Sequence, residues 1–302
     1  MRVEVAPEKV LVRPQAGTRK KKGLAKRISQ KTAVYILLIV VTLVVIIPIL
    51  WMLTTSLKTE VEASTFPPSF LPAVPQWKNF SDVFTAVPFL TYLFNTVFYT
   101  AAVTIGQLIC CSLAAFAFAR LKFPGRNLLF WIYLATMLIP MAVTIVPSFI
   151  EMQAFGWLDT IWAMTIPGMF GSAFGTFLLR QYMLGIPKEL DDAAMLDGAS
   201  PLYVYWKVIM PLCKPALTAL AIFTILAVWN DFVWPLVMLQ SDSVTTLTLG
   251  LANFTAGGSQ TFVSTPISMA ASTLTVAPLI LIFFFAQRYF IKGIALSGMG
   301  GR

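Results

Sequence analysis

The chain has 302 residues, 58% of them hydrophobic and only 12% charged, against about a quarter charged in ordinary soluble domains, so it is built for a lipid environment. It carries 22 Lys and Arg against 13 Asp and Glu, a formal charge of +9, and no histidine, which removes the commonest general base and metal ligand. The three cysteines, Cys110, Cys111 and Cys213, have no CxxC or metal-ligand spacing and read as small buried hydrophobes.

A bilayer-crossing helix needs roughly 20 mainly apolar residues, and six such runs follow one another. They are Ala33 to Leu53, Phe94 to Ala119, Leu128 to Ile150, Ile161 to Leu179, Ala216 to Leu239 and Pro266 to Ala286. The first is too long for a secretory signal and lacks a small-residue cleavage site, so it is expected to stay in the chain. Prolines in or beside these runs, such as Pro48, Pro140, Pro147 and Pro235, favour a packed bundle that can satisfy the carbonyls they free. The predicted organisation is a basic segment over 1–32, a six-helix domain over 33–290 and a tail over 291–302. Orientation follows the basic residues. Of the 22, 20 fall in the N-terminal segment, the second-to-third and fourth-to-fifth connections and the carboxyl end, leaving only Lys58 and Lys78 on the other side. Positive loops stay in the cytoplasm, so both termini are predicted to be cytoplasmic. The run Arg19-Lys-Lys-Lys22 then reads as a retention signal beside anionic lipid and not as a nucleic-acid site.

Three segments face the opposite side. The first, 54–91, is rich in Pro and aromatics and is expected to be an ordered loop on the membrane surface. The second, 151–160, is short. The third, 240–265, is polar, contains Gly257-Gly258, and is long enough to reach a partner, although a plain solvated loop fits equally well.

The fourth-to-fifth connection, 185–215, reads as two short helices joined by a glycine. Pro187 suits a first helical position, and Glu189, Asp191 and Asp192 suit a helix N-terminus. Gly198 ends the first helix. Ser200 as N-cap and Pro201 at the first position open a second, which is expected to stop before Pro211. Lys188, Lys207 and Lys214 here, with Arg180 just before, are balanced by Glu189, Asp191, Asp192 and Asp197, so no basic face exists for phosphates of DNA or RNA. Small Ala193 and Ala194 beside carboxylates suit a plug for a groove in a soluble partner; equally, both helices could simply cap the bundle.

Asp192-Ala-Ala-Met-Leu-Asp-Gly198, nine residues, then Val208-Ile-Met-Pro211 resembles the EAA-xxx-G-x9-I-x-L-P loop of permeases in binding-protein-dependent ATP-binding-cassette importers. Asp192 replaces the family's Glu, Val208 its Ile and Met210 its Leu. Ile186-Pro-Lys-Glu-Leu190, Trp229-Asn-Asp-Phe232 and Gln287-Arg-Tyr-Phe-Ile-Lys-Gly293 also resemble the carbohydrate branch, closest to the shorter permease of maltose-type importers. The resemblance implies an all-α integral membrane protein of the type I importer fold, in a bacterial or archaeal cytoplasmic membrane. It implies a coupling loop in which Glu189, Asp192, Ala193, Ala194, Asp197, Gly198 and Pro211 dock on an ATPase. It implies as partners a second permease, two ATPase copies that hold ATP and Mg, and an extracytoplasmic solute-binding protein, with no cofactor on this chain. By place, the tail Gly293 to Arg302 resembles one that contacts the ATPase dimer. No GxxxxGK[ST] phosphate loop is present, so the chain itself is not expected to be an enzyme.

Asp231 is the one acid inside an apolar run, and intramembrane charge usually faces a bundle interior. It marks either a translocation path or outer gate, or a helix-to-helix hydrogen bond with Asn230 or a neighbour. Asn230, Asn95 and Gln107 share that ambiguity, as do Gln153 and Arg180. Trp131, Trp162 and Trp234 suit either sugar stacking or interfacial anchoring. A carbohydrate of the di- or oligosaccharide class is the expected solute, with a glycerol-phosphate-type compound as the alternative. An ion-coupled secondary transporter would show repeated halves and several buried acids, which are not visible in the sequence.

Overall fold

The computed structural model describes residues 18–255 and 264–297, and every regular element among them is helical. Among the described residues, those up to Met52 form one unit and those from Leu53 onward another. The first is the greater part of α1 (Thr18–Ser56), whose stretch Val34–Ser56 is long and apolar enough to cross a membrane. The basic segment before residue 18, Gly257-Gly258 and the tail from 298 to 302 lie outside the described residues.

In the second unit, α2 (Glu60–Ser64) and α3 (Lys78–Ala86) occupy the first connection, so that segment is ordered as expected. Lys58, 1% exposed, donates from Nζ to the Ser69 carbonyl, and Asn79 donates to the carbonyls of Ser56 and Lys58. The central element is α4 (Phe89–Arg120), a 32-residue helix that begins five residues before the apolar run does. α5 (Arg126–Ala135), a 3-10 turn at Thr136–Leu138 and α6 (Met141–Ala154) are together long and apolar enough to cross a membrane, with a bend of 97° between the two helices. The bend falls at Pro140, which cannot continue a helix and forces Ile139 into an extended conformation. α7 (Ile161–Met169) and α8 (Ala173–Leu184) make the next span. α7 crosses α4 closely at Gly106, where an added Cβ would lie 2.7 Å from the Met169 carbonyl oxygen, so a small residue is needed.

After α9 (Glu189–Leu196) comes a continuous run of α10 (Pro201–Tyr203), a π-helix over Val204–Ile209 and α11 (Met210–Leu212). α12 (Lys214–Trp229) leaves that run at 77°. α13 (Val233–Met238), α14 (Leu247–Thr255) and α15 (Thr265–Ser297) complete the chain. Among the described residues four helices meet the length and apolarity of a span, and the number is six when each bent pair is counted as one span.

Four expectations require correction. The first coupling-loop helix starts at Glu189 with Lys188 as N-cap, leaving Pro187 outside it. The second does not stop before Pro211. Pro211 has no N–H for Lys207, and the chain accommodates this with a wider turn in which Met210 N–H reaches the Tyr205 carbonyl, five residues back. The fifth span ends at Trp229 instead of running to Leu239. A proline in a helix interior clashes with the carbonyl four residues back, and for Pro235 that residue is Asp231; the helix therefore breaks at 230–232 and restarts with Pro235 in its first turn. Finally, the described part of the third external segment is not a plain solvated loop. It contains α14, whose Leu247, Leu249, Gly250 and Phe254 are buried.

Candidate functional site

α9 is held at both ends and presents its middle outward. At its C-terminus Gly198 takes φ +84°, Gly198 N–H bonds the Met195 carbonyl at 3.0 Å and Ala199 N–H bonds the Ala194 carbonyl at 3.0 Å. This pair of bonds around a left-handed residue is the Schellman stop, in which a side-chain-bearing residue would be strained. Ser200 then caps the next helix through Tyr203 N–H, as its position in the sequence predicts.

The inner face of α9 is fixed by an ion pair that sequence reasoning did not single out. Asp191 Oδ2 lies 3.2 Å from Arg120 Nε at the end of α4, and the two side chains are 8% and 3% exposed. Arg120 Nη2 also donates to the Ile186 carbonyl at 2.9 Å, tying α4 to the chain entering α9. Burial pushes the Asp191 carboxyl above the ordinary carboxylate range, while the Arg120 charge pulls the other way. Nothing in one sequence pairs residues 71 positions apart; the available signals were an arginine at the end of an apolar run and an acid beside the small-residue pair.

Behind the pair, the second coupling-loop helix is buried on one side. Val204, Tyr205 and Ile209 are 0% exposed and pack with Leu179, Met183 and Cys213. Tyr205 Oη and Ser112 Oγ are 2.7 Å apart, and the Tyr205 ring meets Phe116 edge-on at 5.3 Å.

The outer face carries the other acids. Glu189, Asp192 and Asp197 are exposed, as are Ala193 and Gly198, while Ala194 is half-buried. Three large apolar side chains stand among them: Leu196 is 89% exposed, Met195 47% and Leu190 43%. An open hollow of about 520 Å³ lies beside them, lined by Ala194, Asp197, Gly198, Ala199, Ser200 and Tyr203. Pro211 is exposed at the start of α11. An apolar and acidic surface on a rigidly anchored helix is suited to a protein partner with apolar pockets and basic residues.

The polar residues of the spans lie apart from this surface, and their hydrogen bonds join elements. Asp231 Oδ2 accepts from Tyr99 Oη at 3.0 Å, and its Oδ1 accepts from Trp234 N–H at 3.4 Å. The partner is thus a tyrosine of α4 and the first turn of α13, and not Asn230, which is exposed and donates to the Leu226 carbonyl of its own helix. Asn95, buried, donates to the carbonyls of Ser243 and Thr245 at the entry to α14. Gln107 donates to the Gly168 carbonyl and accepts from Ser172 and Thr224, joining α4 to three other segments. Gln153 is exposed, and Arg180 donates to the Phe118 carbonyl with its guanidinium 4.0 Å from the Phe130 ring centre. Trp234 donates to the Ala163 carbonyl, while Trp131 and Trp162 are exposed. Among the described residues no cluster of His, Cys, Asp or Glu could hold a metal ion.

Residues 107–296 match the family model described as "binding-protein-dependent transport system inner membrane component". The arabinooligosaccharides transport system permease protein AraQ of Halalkalibacterium halodurans is 33% identical over 264 residues, covering 86% of this chain and 93% of the relative. The sn-glycerol-3-phosphate transport system permease protein UgpE of Pectobacterium atrosepticum is 31% identical, covering 87% and 95%. In three dimensions the chain is similar to one from a bacterial ABC transporter involved in the import of the acidic polysaccharide alginate. The TM-score is 0.77 at 26% identity, over 88% of this chain and 98% of the other.

Proposed function

Because the chain belongs to the family of binding-protein-dependent transport system inner membrane components, we propose that it is the translocating subunit of an ATP-driven carbohydrate importer, with α9 as the element that docks on the ATPase. The observation that carries this reading is the surface of α9. Leu196, at 89% exposure, projects beside free Glu189, Asp192 and Asp197 from a helix that buried Asp191 fastens to α4. A helix anchored on one face and apolar on the other transmits a push on its outer face into α4 and into the run ending at α12. Ala193 and Ala194 allow close approach, and the Gly198 turn fixes the angle at which α9 is presented.

In this reading ATP and Mg are held by two copies of the ATPase. A second permease completes the path, and an extracytoplasmic solute-binding protein delivers the solute. The distribution of basic residues supports a cytoplasmic position for both termini, on the α9 side of the inner membrane. The chain contributes no bond-making chemistry. Its solute is a di- or oligosaccharide, as the relatives named for arabinooligosaccharides and alginate suggest. The relative named for sn-glycerol-3-phosphate supports the alternative of a glycerol-phosphate-type solute. The acid at Asp231, with Tyr99, favours a neutral, hydroxyl-rich solute over a phosphate if this pair borders the path.

The test is the assembled importer with Ala193→Trp and, separately, Gly198→Pro. The exposed tryptophan leaves the chain folded and reduces co-purification of the ATPase and binding-protein-stimulated ATP hydrolysis by at least tenfold, the scale of losing one close contact at an interface centre. Undiminished ATPase association and transport in both variants would sink the docking assignment.

A further inference from the structure

A second feature lies next to α9 and is not used by the docking reading. Where α4 gives way to α5, an open hollow of about 410 Å³ is lined by Arg120, Lys122, Arg126 and Lys188, together with Gly125 and Asn127, and no carboxylate is among its lining residues. Asp191 pairs with Arg120 from behind. Arg126 Nη1 donates to the Leu121 carbonyl, while Lys122 and Lys188 are exposed. The buried guanidinium of Arg120 is incompletely partnered: its side chain is 3% exposed, and Nη1 has no hydrogen bond.

The hollow also receives a helix start. α5, ten residues long, opens from Gly125 at φ +76° with no side chain capping its first N–H groups. Unbonded N–H groups and the positive end of a helix dipole favour an anion, and the four surrounding cations reinforce them. One turn on, Leu128, Leu129, Trp131 and Ile132 are between 51 and 67% exposed, on the first helix of a bent pair that is long and apolar enough to cross a membrane. An anion in the hollow therefore sits at the boundary between water and hydrocarbon, with an apolar face running away from it.

We propose that this hollow is a binding site for the phosphodiester headgroup of an anionic phospholipid, with the acyl chains lying along the exposed face of α5. The phosphate sits between the N-terminus of α5 and the ammonium groups of Lys122 and Lys188. Lys188 is also the N-cap of α9, whose carbonyl accepts from Asp191 and Asp192 N–H. A bound headgroup thus braces the base of that helix and offsets the positive charge that Arg120 and Arg126 leave there. The site does not depend on what α9 docks against, and its lipid readout requires no ATPase.

The test uses the full chain in phosphatidylcholine nanodiscs doped with phosphatidylglycerol, with retained lipid counted by native mass spectrometry. Lys122→Gln/Lys188→Gln, both at exposed positions, is expected to weaken phosphatidylglycerol retention by on the order of tenfold, since a juxtamembrane lysine contributes roughly 1 kcal/mol toward anionic lipid. The matched pair Lys207→Gln/Lys214→Gln removes the same charge elsewhere and is expected to leave retention unchanged. Equal loss in the two pairs would mean a diffuse surface charge and would overturn the site, as would no loss in the first. Inorganic phosphate is titrated separately in phosphatidylcholine alone, followed by phosphorus NMR. Saturable phosphate binding abolished by the first pair, with phosphatidylglycerol retention unaffected, would assign the hollow to a soluble phosphate and overturn the lipid occupant.

Discussion

Asp191 and Asp159 stand at the two ends of the span formed by α7 and α8, and they handle a carboxylate in opposite ways. Asp191 is 6% exposed and faces a buried arginine, with Oδ1 lacking a hydrogen-bond partner. Burial raises its pKa in spite of Arg120. Asp159 is half-buried in a left-handed turn at φ +57° and accepts from the N–H groups of Gln240 and Ser241, each at 2.8 Å. Burial alone would raise its pKa too, but these two N–H groups and the Ser241 hydroxyl outweigh it and hold the carboxyl below the ordinary range. One end therefore contains a charge that is costly to keep, whereas the other contains a charge that fastens α13 and the following segment to the turn before α7. A pair that is costly when intact gives α9 a specific seat without making that seat the most stable arrangement available.

The largest expected effect tests the seat. Asp191→Leu leaves the Arg120 guanidinium buried without its counter-ion, and the loss is about 3–5 kcal/mol, read as a fall in the melting temperature of the detergent-solubilised chain. Arg120→Met/Asp191→Leu removes both charges and should recover most of that loss, apart from about 1 kcal/mol for the Ile186 hydrogen bond. A double variant as unstable as the single would show that Asp191 supports α9 by some means other than pairing. The pH dependence follows from the raised pKa. The folded state holds the Asp191 proton more tightly than the unfolded one, so this proton-linked term, separate from the counter-ion role of the ionised carboxylate, is fully present below the unfolded carboxylate pKa and is lost as pH rises through the folded value.

Asp159→Ala is expected to cost less, about 2 kcal/mol, from two charge-assisted hydrogen bonds at a half-exposed site. Its pH signature is the reverse. A depressed folded pKa gives stability that is present above the unfolded carboxylate pKa and is lost as pH falls through the folded value. The melting difference between wild type and Asp159→Ala should therefore shrink on acidification, which thermal melts across the acidic range would detect. A difference independent of pH would mean that the φ +57° turn, and not the charge, is what Asp159 supplies.

The contrast between these two ends also shows which features one sequence reveals. The six apolar runs, the Ser200 cap and the Gly198 turn were legible because each is encoded within a few residues, by run length, by a hydroxyl before a proline and by a glycine where the chain must turn left-handed. The outward acids of α9 were legible for the same reason. Pairings across the bundle were not: Arg120 with Asp191, Tyr99 with Asp231 and Asn95 with Ser243 and Thr245 join residues 71 to 150 apart. Proline effects were read with the right residue types and the wrong geometry. By residue type Pro211 predicts a stop, but a π turn absorbs it, whereas Pro235 lies within a predicted span and instead breaks the helix at Asp231.

That break produces the smallest predicted effect and refines the comparison, because Asp231 combines features of both ends. Like Asp159 it accepts from a backbone N–H, here that of Trp234 in the first turn of α13. Like Asp191 it also meets a side chain of α4, the Tyr99 hydroxyl at 3.0 Å. A double-mutant cycle with Tyr99→Phe and Asp231→Asn isolates the side-chain term, which is expected to couple the two by about 1 kcal/mol in thermal stability. The same four proteins, assembled into the importer, separate a purely structural bond from a gate. If the pair only joins α4 to the α12–α13 break, transport at the assay temperature is unchanged in Asp231→Asn and solute preference does not move. If the pair borders the path, Asp231→Asn alters the ranking of sugars while Tyr99→Phe, which keeps the carboxylate, alters it less. A measured coupling near zero would remove the tyrosine from both accounts and leave the capping bond to Trp234 as the only role of Asp231 visible in the fold.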